Sequence, residues 1–235
     1  MGKSWKKAGI LANAAKKGAQ FTKLAREIAV AAKMGGPDPE GNARLKMAVK
    51  AALAVSCPKA TIERAIKKGS GQLDDGTIIE EVSYEGMGPH NVGIIVGCQT
   101  DNRNRTVGEI RNIFKKNGGQ LGDMGSAAWQ FDRVSIVSGK KENVADAEED
   151  AIEVGANEVE FDAEEKLYTF YGEPDDLDAI QMGLTGRGFE IEEAEIGFKA
   201  KNPTQLEGDA LAEVEKLLEA LDDNEDSHRI YTTLD

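Results

Sequence analysis

The chain has 235 residues, of which 40% are hydrophobic and 30% are charged, and its formal net charge is −13. This length and composition allow a buried core and predict two or three small domains of a soluble protein. No apolar run approaches the roughly 20 residues that cross a bilayer, and the first residues lack the apolar segment of a secretion signal. We therefore expect a cytoplasmic protein with no membrane partner. Two cysteines and two histidines are too few for a disulfide framework or an ordinary zinc site, so we expect no metal and no cofactor.

Charge is distributed unevenly along the chain. Residues 1–72 contain 15 Lys or Arg and 4 Asp or Glu, a net charge of +11, whereas residues 73–235 contain 14 basic and 38 acidic residues, a net charge of −24. A basic module joined to an acidic body indicates a nucleic-acid partner. The asymmetry does not distinguish DNA from RNA.

Residues 1–72 are predicted to form a bundle of short helices. Apolar residues recur at helical spacing over 19–34, with basic residues on the opposite side of the same helix. Glycines and prolines over 35–39 end this helix, a second begins near Asn42, and a third follows Pro58. Glycine, serine and acidic residues over 69–76 predict a hinge that closes the domain. The third helix is expected to leave three basic side chains in solvent: Arg64, Lys67 and Lys68.

After the hinge, the pattern changes to strands alternating with helices. Strands are predicted over 77–84, 91–99, 127–131, 133–137, 158–161, 166–171, 189–196 and 228–232, and helices over 102–117, 144–154, 174–182 and 206–221. The order βαββαβ over 133–196 is the split βαβ arrangement of a ferredoxin-like domain. The fold class is therefore α+β: an N-terminal helical bundle followed by two ferredoxin-like α+β domains, the third inserted in the second. The domain boundaries follow as 1–72, 73–132 plus 197–235, and 133–196.

The basic N-terminal module contains most of the candidate nucleic-acid contacts. Positive side chains there, with one aromatic residue, suit phosphate binding whose affinity falls steeply with salt. The alternative is that lysine-rich helix faces are simply solvated, although a net charge of +11 exceeds what solubility requires. The candidates in this module are Lys3, Trp5, Lys6, Lys7, Lys16, Lys17, Lys23, Arg26, Lys33 and Arg44.

Two further segments are candidate binding elements. Arg103 and Arg105 stand at the start of a predicted helix, where free backbone N–H groups and the helix dipole favour a phosphate or an acidic partner. The alternative is a helix cap with intramolecular salt bridges to the acidic body. The glycine-rich segment 116–126 contains the Gly-x-x-Gly spacing of KH domains, but a strand follows it, and we interpret it as a structural turn.

Enzymatic function finds little support in the sequence. The chain has no P-loop, no dinucleotide-binding glycine pattern after a strand and no nucleophile elbow, and neither histidine lies in a hydrolase pattern. Acidic runs such as 148–150 and 222–226 are interpreted as solvated surface. A metal-dependent nuclease that uses these carboxylates is retained as a minor alternative.

A set of short motifs in the first 130 residues resembles the YebC/PmpR family, which also includes the mitochondrial translational activators of cytochrome oxidase. The motifs are Ser4-Trp5, Phe21-Thr22-Lys23, the run from Ala31 to Pro39, Asn42-Ala43-Arg44-Leu45, Tyr84 to Pro89, Asp101 to Thr106, Gly118 to Gly122, and Gly125-Ser126. The resemblance implies a helical domain followed by two α+β domains, the third inserted in the second, and a non-enzymatic role in gene expression. Bacterial members are described as DNA-binding transcriptional regulators, whereas other members bind the ribosome and assist difficult peptide synthesis such as proline runs.

These observations lead to one functional prediction with an alternative. We predict a non-enzymatic DNA-binding regulator of transcription, and the alternative is a translation factor that binds ribosomal RNA. An acidic body of charge −24 repels a second stretch of phosphates, so DNA is expected to contact one face only. No helix-turn-helix spacing is evident, and sequence-specific readout is therefore not predicted from the chain itself. We expect a monomer with no small-molecule substrate.

Overall fold

The computed structural model describes residues 14–73, 76 and 78–235, with side chains from residue 18 onward. In chain order the helices and strands are α1 (Ala14–Gly35), α2 (Ala43–Ala54), α3 (Lys59–Gly69), β1 (Glu80–Met87), β2 (Gly93–Thr100), α4 (Arg103–Lys116), β3 (Gln120–Leu121), β4 (Phe131–Lys140), α5 (Ala147–Val154), β5 (Glu158–Asp162), β6 (Leu167–Gly172), α6 (Leu177–Gly186), β7 (Glu190–Ala200), α7 (Gly208–Asp222) and β8 (Ser227–Thr232). They form two compact units. Residues 129–204 make the smaller unit, and the described residues up to 128 together with 205–234 make the larger one.

Helices α1, α2 and α3 form a helical domain at the start of the larger unit. Its core consists mainly of small and branched apolar residues, among them Ile28, Leu45, Ala52 and Ile62. The Asn42 side chain caps α2 by accepting a hydrogen bond from the Leu45 amide. Glycine at position 69 allows α3 to approach α1 closely, because a Cβ there would lie 2.0 Å from the Ala29 carbonyl oxygen. The three predicted helices are therefore confirmed, and small residues determine how tightly they pack.

The rest of the larger unit is a four-stranded antiparallel sheet in the order β3-β1-β2-β8. Helices α4 and α7 contribute buried side chains to its core, including Ile110, Phe114, Leu217 and Leu221. The strand order is that of a ferredoxin-like domain: β2 and β3, which α4 connects, lie on either side of β1. The difference is that this central strand comes first in the chain, before β2 and β3. The final helix and strand return to this sheet after the inserted unit, as predicted.

One predicted strand of this sheet is wrong. Residues 127–131 were expected to be a strand, but Ala128–Gln130 form a 3₁₀ turn, and the edge strand that pairs with β1 is the two-residue β3. The Glu85 carboxylate accepts hydrogen bonds from the amides of Gly125, Ala127 and Ala128, at 2.9, 2.9 and 2.8 Å. Because those amides bind a side chain, they are not available to a strand ladder.

The smaller unit is a second antiparallel sheet in the order β5-β6-β4-β7, which is the ferredoxin-like order. Helices α5 and α6 contribute to a core that includes Val137, Phe170, Ile180, Leu184 and Phe189. The predicted fold class is confirmed: N-terminal helices precede two four-stranded α+β sheets, and the second sheet is inserted in the chain of the first. Of the described helices, none is both long and apolar enough to cross a bilayer.

Candidate nucleic-acid interface

The outer side of α1, predicted to bind phosphates, lies against the first sheet, where Glu27 is the centre of a buried polar network. Its carboxylate accepts two hydrogen bonds from the Arg44 guanidinium, at 2.8 and 3.0 Å, and one from the Gln99 amide at 2.6 Å. The His228 Nε2 atom lies 2.9 Å from the same carboxylate, and Arg44 also reaches Glu81 at 2.7 Å. Glu27 is only 7% exposed. This network joins α1 and α2 to β1, β2 and β8.

Burial and hydrogen bonding shift the pKa of the Glu27 carboxyl in opposite directions. Burial alone raises the pKa of the Glu27 carboxyl, but hydrogen bonds from His228 and Arg44 outweigh it and hold that pKa well below its usual range. The carboxylate is therefore charged at neutral pH, and it needs its partners to remain buried. Phosphate cannot compete for Arg44 without leaving this carboxylate poorly compensated.

A second network surrounds Asp226, just before β8. The Arg26 guanidinium lies 2.9 Å from the carboxylate and also donates to the Glu225 carbonyl oxygen. Arg105 donates to both carboxylate oxygens at 2.9 and 3.0 Å, and the Thr106 hydroxyl donates at 2.6 Å. Burial raises the pKa of Asp226, while hydrogen bonds from Thr106 and Arg105 lower it, and the net shift is downward. Two predicted phosphate ligands, from helices α1 and α4, therefore share one buried carboxylate.

The remaining described candidates also contact the acidic part of the chain. The Lys23 ammonium donates to the Asp222 carbonyl oxygen and lies 3.8 Å from the Asp222 carboxylate. Lys33 donates to the Ile79 carbonyl oxygen at 3.4 Å, and Arg103 pairs with Glu80 at 2.6 Å. For Arg103 and Arg105 the structure has the intramolecular arrangement that was the alternative to ligand binding. Phosphate binding by these candidates stays a prediction.

Other candidates fall outside what the structure describes. Lys3, Trp5, Lys6 and Lys7 precede the described residues, and the predicted hinge at 69–76 is described only in part. Lys16 and Lys17 lie in α1, but their side chains are not described. Binding by these six residues stays a prediction.

In the glycine-rich segment 116–126, the backbone around β3 lies very close to the backbone of β1. A Cβ at Gly119 would lie 2.8 Å from the Met87 carbonyl oxygen, and one at Gly86 would lie 2.7 Å from the Gln120 carbonyl oxygen. Glycine at these positions is therefore needed for β3 to pair with β1. This geometry supports the interpretation of the segment as a structural turn.

Helix α3 presents cations that the candidate set omitted. Lys59, Arg64 and Lys67 are exposed, and none of them forms an ion pair with any residue that the structure describes. The signal was present in the sequence, since four basic residues and one acid occur within the 11 residues of α3.

A groove of about 270 Å³ lies between α1 and α3. Its polar lining comes from Thr22 and Arg26 on α1, Thr61, Arg64 and Lys68 on α3, and Asp101 before α4. Of these cations, Arg26 is paired with Asp226, whereas Arg64 makes no ion pair with a described residue and is available to an anionic group.

Comparisons with known proteins cover almost the whole chain. Residues 2–72 match the family described as the TACO1/YebC protein N-terminal domain, and residues 79–234 match the one described as the TACO1/YebC second and third domain. A probable transcriptional regulatory protein from Bdellovibrio bacteriovorus is 56% identical over 234 residues, covering 100% of both chains. One from Thermoanaerobacter pseudethanolicus is 43% identical, covering 92% of this chain and 88% of its own length. The crystal structure of a conserved hypothetical protein from Aquifex aeolicus is similar with a TM-score of 0.83 and 38% identity, covering 97% and 96% of the two chains.

Proposed function

The chain belongs to the TACO1/YebC family, and we propose that it is a non-enzymatic regulator of transcription that binds DNA through its helical domain. Relatives that match over most of their length are named probable transcriptional regulatory proteins, which supports a regulatory role. The same names favour transcription over the ribosome-binding alternative. Phosphate contact through the helical domain is the physical part of the proposal.

The observation that carries the proposal is the separation of charge along the chain. The first 72 residues have a net charge of +11, although the whole chain has −13. Each phosphate neutralised by Lys or Arg releases condensed counterions, and this release supplies most of the affinity of non-specific DNA binding. The acidic body repels additional phosphates, so the DNA should contact only the helical domain.

The predicted contacts divide into two groups in this account. Lys3, Lys6 and Lys7, with Trp5, precede α1 and are proposed to bind the phosphate backbone and a sugar or base face. Arg26 and its neighbours on α1 are proposed to fix the helical domain on the first sheet through buried carboxylates, which orients the basic residues around them. Phosphate contacts by Lys3, Lys6 and Lys7 do not discriminate between DNA sequences. Any promoter preference must therefore come from DNA shape or from a partner.

The test is a salt titration of the full chain with a labelled DNA duplex, followed by fluorescence anisotropy. Phosphate contacts by Lys3, Lys6 and Lys7 together contribute about −2.7 to the slope of log K against log salt concentration, because each contact contributes about −0.9. The Lys3→Gln/Lys6→Gln/Lys7→Gln variant should bind more weakly and have a shallower slope. A matched variant, Arg111→Gln/Lys115→Gln/Lys116→Gln, removes the same charge from exposed positions on α4 and should bind like the wild type.

Three results would contradict the proposal. Absence of duplex binding at low salt would reject DNA as the partner. Co-sedimentation with ribosomes by a protein that does not bind duplex would replace transcription with the ribosomal RNA alternative. Equal weakening by the Lys3→Gln/Lys6→Gln/Lys7→Gln variant and by the α4 variant would show that affinity responds to net charge and not to contact by residues 3–7.

A further inference from the structure

The cations of the helical domain differ in how they are held. Arg26 and Arg44 are paired with the buried carboxylates of Asp226 and Glu27. Releasing either arginine to a phosphate would leave a buried carboxylate without its partner, which opposes binding. The α1 and α2 arginines are therefore poor phosphate ligands in the folded protein.

Three cations of α3 are not restricted in this way. We define the α3 basic face as Lys59, Arg64 and Lys67, which are exposed and make no ion pair with a described residue. The opposite side of α3 buries Ile62 and Ala65 in the helical core, so the basic face is fixed in orientation. From residue 59 to residue 67, eight steps along the chain, a helix rises about 12 Å, which allows contact with several phosphates in succession.

Arg64 also stands at the groove between α1 and α3. Thr61 lies beside it in that lining, one turn earlier on the same helix, and the Thr22 side chain lines the groove from α1. A hydroxyl next to a guanidinium offers hydrogen bonds as well as charge to a phosphate oxygen. The groove therefore gives the α3 basic face a recessed position for one phosphate group.

We infer that α3 presents a surface of the helical domain that contacts the DNA phosphate backbone, with Lys59, Arg64 and Lys67 as its ligands and the groove beside Arg64 as one phosphate position. This inference rests on the proposed function, since it names the surface through which that binding occurs. It places the phosphates on the face of the helical domain whose cations are not held by the acidic sheet.

The experiment uses the full chain and the same labelled duplex. The Lys59→Gln/Arg64→Gln/Lys67→Gln variant should lose roughly 10-fold or more in affinity at 100 mM salt, and its log–log salt slope should become shallower by about 2.7, which corresponds to three lost contacts. The Arg111→Gln/Lys115→Gln/Lys116→Gln variant is the matched control, because it removes the same charge from exposed residues of another helix. It should retain the wild-type slope.

A single substitution and a fold check make the result specific. Arg64→Gln alone should reduce the slope by about 0.9, and Glu63→Gln on the same helix should leave it unchanged or raise affinity slightly. Thermal unfolding of each variant should match the wild type, because all the altered side chains are exposed.

The outcomes distinguish failure of this inference from failure of the proposed function. Duplex binding by the wild type that is weakened equally by the α3 and α4 variants, or by neither, overturns the assignment of α3 while DNA binding stands. Failure of the wild type to bind duplex overturns both. Loss confined to the α3 variant supports both.

Discussion

The Glu27 carboxylate should be among the most important polar groups for the stability of the larger unit. It is buried and accepts hydrogen bonds from Arg44 and Gln99, with His228 at 2.9 Å. Removing one member of a buried ion pair typically costs about 3–5 kcal/mol, because the other member is left uncompensated. Arg44 keeps Glu81 as a partner, so we expect the lower end of that range, about 3 kcal/mol, for Glu27→Gln.

Urea unfolding followed by far-ultraviolet circular dichroism measures this change. A loss of about 3 kcal/mol corresponds to a Tm lower by roughly 6–12 °C for a domain of this size. Glu63→Gln is the matched control: Glu63 is exposed on α3, and the same substitution there should change the free energy of unfolding by less than about 0.5 kcal/mol. If Glu27→Gln unfolds within that same margin of the wild type, the reasoning about the buried network is wrong.

The pH dependence of the same pair of proteins gives an independent check. The pKa of Glu27 is lower in the folded protein than in the unfolded chain, so its stabilising contribution is present above the unfolded value of about 4.3. That contribution is lost as the pH falls below this value toward the folded pKa. The stability difference between wild type and Glu27→Gln should therefore shrink as the pH falls below about 4. A difference that grows on acidification would contradict the assignment.

Three further predictions concern single side chains. Thr106→Val removes the hydroxyl that donates to Asp226 at 2.6 Å and should destabilise the protein by about 1–3 kcal/mol, measured by urea unfolding, whereas no change would show that Asp226 does not need this donor. Gly69→Ala should cost about 1–3 kcal/mol, because its Cβ would lie 2.0 Å from the Ala29 carbonyl oxygen, and a neutral result would contradict the close α1–α3 contact. Glu85→Ala frees three loop amides, which should exchange with solvent faster in hydrogen-exchange experiments, while unchanged protection would show that the carboxylate does not order this loop.

Much of the fold was predictable because local patterns agree with it. Apolar spacing predicted the helical domain, with its second helix beginning near Asn42, and the order of strands and helices over 133–196 predicted the ferredoxin-like insertion. The exception, the strand expected at 127–131, depends on Glu85, about 40 residues earlier in the chain. A local pattern cannot show that a distant carboxylate takes the amides of a segment.

The candidate interface was harder to predict for the same reason. Arg26 and Asp226 are 200 positions apart, and nothing in the local sequence of α1 indicates that its arginine is paired. Charge counting finds the basic domain but not which of its cations are already bound to carboxylates. Glu27 and Asp226 are buried and hold arginines of α1 and α2, whereas Lys59, Arg64 and Lys67 of α3 are not paired with a described carboxylate.

The salt dependence of duplex binding by the full chain tests the central claim most directly. With six phosphate contacts, from Lys3, Lys6, Lys7, Lys59, Arg64 and Lys67, the affinity should fall about 1,800-fold between 50 and 200 mM salt. The variant lacking the three cations of the α3 basic face should bind more weakly and lose much less of its affinity over the same range. No measurable binding at 50 mM salt, or an affinity that does not change with salt, would contradict a DNA-binding regulator that holds phosphates through its helical domain.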